Sequence, residues 1–201
     1  MVERGRAGAR RRRPRGDPEP GYGEGMTDPG GAYERIHMRA ALADVVAAAP
    51  AAPRWRAGTL EDLDWQNDMA WGMYPARPPF ESREALDVLA DEMRAGAWGE
   101  MVPEASPVVL TDGGEVRGFV VTTRRLLGES APDCPYVLDV VVAPASRRQG
   151  VAAGMLGVAA SSLLADGEAH LALTVDADNP GALALYARLG FVETGRRVQA
   201  G

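Results

Sequence analysis

The sequence predicts a mixed α/β fold of the α+β kind, a mostly antiparallel sheet flanked by helices. Three observations carry this. Tyr136–Val142 is a Val-rich strand closed by Pro144, and a helical pattern at Val151, Met155, Leu156, Ala159 and Leu163 follows it after a short basic turn. Residues 107–111 and 116–123 read as strands joined by Asp112-Gly113-Gly114-Glu115, a hairpin signal. A second strand–helix step covers residues 171–175 and 180–189.

Taken in order, residues 1–31 are rich in Gly, Pro and Arg and show no hydrophobic periodicity, so they are expected to form a disordered tail. Its basic run, Arg10–Arg13, reads as a solvated arm rather than a nucleic-acid site. Residues 33–49 are Ala-rich, with Ile36, Met38, Leu42, Val45 and Val46, and predict an appended helix ending before Pro50. With a linker through Pro53, residues 32–50 stand apart from a domain of residues 54–201. Trp55-Arg56-Ala57 opens that domain as a short strand, and Thr59, with Asp62 three residues on, caps a helix over residues 60–71. The prolines of Tyr74–Pro79 break the helix. Residues 81–95 form the next helix, with Leu86, Leu89 and Met93 on one face. After the hairpin and a loop over residues 128–135 come the two strand–helix steps, and a last strand spans residues 191–196.

At 201 residues and 46% hydrophobic composition, the chain is long enough for one well-cored domain. It has no Lys, a net charge of −6 and a single cysteine, Cys134, which fits a reducing, cytoplasmic setting. No apolar run approaches the roughly 20 residues of a transmembrane helix. The acidic balance disfavours nucleic acid as main partner and suits a cationic acceptor. Two histidines and one cysteine make no metal-ligand pattern.

The turn between Pro144 and the long helix is built for an anion. Its helix presents amide N–H groups without intrahelical acceptors, Arg147 and Arg148 add charge, and Gly150 permits close backbone approach.

Arg147-Arg148-Gln149-Gly150-Val151-Ala152 matches the pattern Q/R-x-x-G-x-G/A, and Asn179 is followed seven residues later by Tyr186 and then by Gly190-Phe191. In this order, with a strand between them, the two signatures resemble those of the GNAT acyltransferase superfamily. The resemblance implies an N-acetyltransferase that takes acetyl-CoA, uses no metal, and acetylates a primary amine of a small molecule or peptide. A non-catalytic acyl-CoA-binding module is the alternative. It also implies that Arg147, Arg148, Gln149, Gly150, Val151 and Ala152 hold the pyrophosphate. By the same resemblance, the backbone of Val140, Val141 and Val142 is expected to meet the pantetheine arm and thioester on a bulged strand. Asn179 is expected to bond the arm or cap its helix, and Tyr186 to be the general acid. Trp71, Tyr74 and Phe80 lie where relatives frame the acceptor or where the core packs. Where ribosomal-protein acetyltransferases carry a Glu base, this chain has Thr174. Asp139, Asp176, Asp178, Glu104 or a water chain stand as base candidates, and His37 and His170 are assigned no role. The few residues after Arg196 are expected to be too short for the family's final strand. An edge left unpaired near Phe191 would favour a homodimer.

Overall fold

The computed structural model describes residues 32–71, 73, 82–128 and 131–199. The expected tail, residues 1–31, lies outside them, as do Tyr74 and Phe80. The chain runs β1 (Tyr33–Ala41), α1 (Leu42–Ala48), β2 (Trp55–Ala57), α2 (Leu63–Ala70), α3 (Arg83–Arg94), β3 (Pro107–Leu110), β4 (Val116–Thr123) and β5 (Tyr136–Val142), then α4 (Val151–Ala165), β6 (His170–Asp176), α5 (Pro180–Arg188) and β7 (Val192–Gln199). Seven strands form one sheet in the order β2-β3-β4-β5-β6-β1-β7. Every neighbouring pair is antiparallel except β5 and β6.

The appended helix expected over residues 33–49 is a strand for its first half. β1 inserts between β6 and β7 and pairs with both over most of its length. Ile36, Met38 and Ala40 are buried while His37 and Arg39 are exposed, which is the period of two of a strand. Helix-favouring Ala and Met masked that alternation, and the two open edges of β6 and β7 decide the outcome by supplying backbone partners on both sides of β1. Only residues 42–48 are helical, and they stop short of Pro50 as expected. Tyr33–Ala41 is therefore part of the sheet rather than an appendage, and β1 occupies the place beside the Phe191 strand that the sequence left vacant. β7 keeps one open edge and carries Glu193, Arg196 and Arg197 along it, a charged pattern of the kind that discourages edge pairing.

The sheet separates two cores. On one face α1, α4 and α5 close over Ile36, Met38, Val137, Leu173 and Val175. On the other α2 and α3 close over Val108, Phe119, Val121 and Val141. α4 is buried almost all round, because the segment after α1 crosses it at two glycines. A Cβ on Gly157 would lie 2.6 Å from the Ala49 Cβ, and one on Gly154 3.0 Å from the Ala52 Cα. The acid half of the predicted cap forms too, with the Thr59 N–H donating to Asp62 at 2.9 Å.

Met38, only 6% exposed, tests the reassignment of β1. Met38→Ala should lower the unfolding free energy by about 2–5 kcal/mol, the usual cost of truncating a core methionine. Chemical denaturation followed by circular dichroism reads it, and a loss well under 1 kcal/mol would mean that β1 is a peripheral arm.

Candidate active site

β5 and β6 diverge. Their parallel ladder holds only Tyr136 to Ala172 and Val137 to Leu173, although both strands continue for several residues. At the same point β5 bulges. Against β4, Asp139 pairs with Val121 and Val137 with Thr122, so Leu138 is the extra residue. This is the bulge the family resemblance implied. Beyond it, the Ala143 N–H donates to the Arg117 carbonyl at 2.9 Å, which sets the alternation of the ladder. Val141 and Asp139 then turn their amide groups toward β4, whereas Val140 and Val142 turn theirs into the gap. Of the three valines expected to meet a ligand, two offer backbone groups there. Val141 has its side chain in the core and its amide groups committed to β4.

The loop after β5 combines two left-handed residues. Gly150 has φ +77°, and Arg148, with φ +63°, is the one non-glycine with positive φ among the described residues. For an L-residue this conformation costs roughly 1–2 kcal/mol, and such strain concentrates at functional sites. Past Gly150 the amides of Val151, Ala152 and Ala153 open α4 without intrahelical acceptors, and the Gly154 N–H is the first to bond back, to the Gly150 carbonyl at 2.9 Å. Arg147, Arg148, Gln149 and Gly150 are all exposed. The Arg147 Nε donates to the Val142 carbonyl at 3.3 Å, tying the loop to the open edge of β5. A residue that sequence reasoning missed, Arg117 on β4, reaches the same loop. Its guanidinium donates to the Gln149 Oε1 at 2.6 Å and the Ser146 Oγ at 3.3 Å. No local pattern links positions 117 and 149; only the β4–β5 ladder joins them. Open amides at the start of a fifteen-residue helix, with three arginines at the rim, form a cradle that suits an anion.

The Asn179 Oδ1 accepts from the Ala182 N–H at 3.1 Å, so it caps α5. One helical run later Tyr186 is buried, its ring tilted against Phe191 with centroids 5.6 Å apart. Burial pushes its phenol far above the usual tyrosine range, and the charge of Asp139 and the neighbouring Tyr136 raise it further. Tyr186 therefore keeps its proton through neutral and mildly alkaline pH and sits in the field of residues flanking the gap.

The candidate bases are scattered. Asp139 stands at the bulge. Asp176 pairs with Arg35 at 3.2 Å. Asp178 is exposed in the turn before α5. Glu104 lines a shallow groove with Trp55, Ala52 and Gly157, away from β5 and β6. Thr174 stands on the sheet face opposite the α4 and α5 core, and its hydroxyl meets both Tyr136 and His37. His170 starts β6 opposite Ala41. Trp71 is 44% exposed at the end of α2. Among the described residues no cluster of His, Cys, Asp or Glu is arranged to hold a metal, and no helix is long and apolar enough to cross a membrane.

If the loop holds a diphosphate, Gly150→Glu should abolish CoA binding, because it puts a carboxylate and a strained L-residue at the cradle. Arg117→Ala should weaken binding about tenfold, the scale of one hydrogen bond to a charged group. Isothermal calorimetry on the folded variants decides both, and unchanged affinity would remove the loop from the site.

The family model described as the acetyltransferase (GNAT) family matches residues 61–191. Among solved structures, a GCN5-related N-acetyltransferase from Sphaerobacter thermophilus superposes with TM-score 0.58 at 20% identity, over 84% of this chain and 50% of that one. A putative GNAT acetyltransferase from Novosphingobium aromaticivorans gives TM-score 0.53 at 18% identity, over 83% and 62%. The aminoglycoside 6'-N-acetyltransferase of Acinetobacter baumannii gives 0.50 at 19%, over 74% and 96%. The chain spans only 50% to 62% of the length of the first two. No curated protein matches the sequence. The matched model covers well over half of the chain and includes the arginine-rich loop and Tyr186, so the chain belongs to the GNAT acetyltransferase family and carries an acyltransferase domain.

Proposed function

We propose that this domain transfers the acetyl group of acetyl-CoA to a primary amine of a small molecule or peptide. The observation that carries the reading is the bulged β5 splayed from β6, with the anion cradle at one end and Tyr186 beside it. The pieces fit acetyl-CoA. Arg147, Arg148, Arg117 and the amides opening α4 suit its pyrophosphate, and the gap-facing amide groups of Val140 and Val142 suit the amide-bearing pantetheine arm. Acetyl-CoA supplies an activated acyl carbon and a thiolate leaving group.

The chain's own residues do the rest. An N–H of β5 aimed into the gap donates to the acyl carbonyl oxygen, where negative charge builds. Tyr186, which stays protonated through neutral pH, holds a proton for the departing sulfur. Packing of α4 and α5 over the gap limits water on that side. The acidic chain suits a cationic acceptor, and the likeness to an aminoglycoside acetyltransferase makes amino sugars a first choice.

Tyr186→Phe keeps the ring on Phe191 and loses only the hydroxyl. CoA affinity should stay within about twofold, and turnover with a working amine should fall by roughly 10²–10⁴. Higher pH should recover part of that loss, since free thiolate becomes a tolerable leaving group. Release of CoA, followed with a thiol reagent from pH 6 to 9, reads it. Equal rates for both proteins would take Tyr186 out of the chemistry. Tight CoA binding by the wild type without release to any amine would establish an acyl-CoA-binding module instead.

A further inference from the structure

The acetyltransferase reading leaves the amine's proton without a destination, and the inserted strand β1 supplies one. We propose that Tyr136, Thr174 and His37 form a proton-exit relay from the β5–β6 gap to solvent, ending on the His37 Nδ1. The inference rests on the acetyltransferase reading above.

Three adjacent strands bring these residues to one face of the sheet. Tyr136 stands beside Ala172 in the parallel ladder, and His37 stands opposite Thr174 across β1 and β6. Their strand neighbours Val137, Leu173, Ile36 and Met38 all point to the opposite core. The Tyr136 Oη donates to the Thr174 Oγ1 at 2.5 Å, and the Thr174 Oγ1 lies 3.0 Å from the His37 Nδ1. A threonine hydroxyl carries one hydrogen. Its oxygen accepts from Tyr136, and in the relay its own hydrogen serves the imidazole. The donors then run from phenol to hydroxyl to ring nitrogen, an order that requires the His37 proton on Nε2.

The two ends differ as a relay requires. Tyr136 sits at the first of the two paired positions, one residue before the ladder ends, half-buried, and burial raises its phenol pKa, so it conducts a proton rather than storing charge. His37 is exposed and exchanges with water. The charged groups on its face are Arg35 and Arg39 on β1, Asp176 on β6 and Arg197 on β7, and Asp176 is engaged by Arg35. Thr194 on β7 donates to the His37 carbonyl at 3.2 Å and fixes the backbone beneath the ring.

In the transfer, the amine nitrogen forms a C–N bond with the acyl carbon as the C–S bond breaks. The amine proton moves to the Tyr136 Oη, the Tyr136 proton to the Thr174 Oγ1, and the Thr174 proton to the His37 Nδ1. The departing thiolate takes the Tyr186 proton. The imidazolium then loses a proton to water and the Tyr186 oxygen regains one, so the amine and the thioester become the amide and the thiol. Thr174, occupying the position where ribosomal-protein acetyltransferases carry a Glu, thus passes the proton to a base on a neighbouring strand.

The first test needs no substrate. The chain has two histidines, so long-range ¹H–¹⁵N spectra of the ligand-free protein resolve them, and His37→Gln assigns His37. The relay requires the Nε2–H tautomer of His37 in the wild type and a loss of that preference in Thr174→Val. A dominant Nδ1–H tautomer, or one indifferent to Thr174→Val, would overturn it. The second test follows CoA release from acetyl-CoA with glucosamine, kanamycin, spermidine and a short peptide. The wild-type rate should rise with pH. His37→Gln and Thr174→Val should each flatten that rise and cut turnover by about 10²–10⁴. The double variant should be no slower than either single one, and Thr174→Ser should restore the rise. CoA affinity by calorimetry should hold throughout, which reports an intact fold. Release by the wild type with an unchanged profile in His37→Gln would overturn the relay alone. No release with any of these amines would overturn the acetyltransferase reading and the relay with it.

Discussion

The parallel pairing of β5 and β6 at just two positions is the constraint on which the rest depends. A parallel sheet normally keeps its ladder closed, because an unpaired buried amide costs about as much as a lost hydrogen bond. Here the ladder opens beside a bulge, and the exposed backbone groups become the lining of a site. The two half-sheets, β2 to β5 on one side and β6, β1 and β7 on the other, then need other attachments. α4 and α5 provide them by spanning one face of both halves with a single core that includes Leu156, Leu163, Tyr186 and Leu189. The helices that staple the gap also end on it: the N-terminus of α4 carries the anion cradle, and α5 carries Tyr186.

β1 solves a second problem. Without it, β6 would have no neighbour beyond its short contact with β5, and β7 would have none at all. An N-terminal strand in that slot gives both a full ladder. It also brings a residue that the domain's own signatures do not contain. His37 comes within hydrogen-bond distance of Thr174 because the register sets them opposite each other. The same register places Arg35 against Asp176. Strand insertion thus changes the chemistry of the β6 face as well as its stability.

The anion cradle shows how local conformational cost and long-range support combine. Arg148 in the left-handed region is unfavourable by itself, and Gly150 only lowers the cost at its own position. Side chains hold the turn from both sides. Gln149 donates to the Ala145 carbonyl at 2.9 Å and accepts from Arg117, and Arg147 donates back to Val142. A turn so tied is pre-organised, which reduces what binding must spend on ordering the loop.

Much was legible in the residues themselves. Pro144, the arginines and Gly150 announce a strand–turn–helix step, because turn chemistry and helix termini depend on near neighbours in the chain. Asn179 as a cap, Tyr186 seven residues on, the Thr59–Asp62 cap and the 112–115 hairpin were readable for the same reason. The opposite holds for β1. Its alternating Ile36, Met38 and Ala40 carried the strand signal, but Ala-rich composition favoured a helix, and only the paired edges of β6 and β7 reversed the preference. The turning away of Val141, the bulge at Leu138, the reach of Arg117 to Gln149 and the meeting of His37 with Thr174 were likewise decided by tertiary structure. Each depends on which distant residue lies across a ladder, and ladder register is a property of the assembled sheet that no single segment contains.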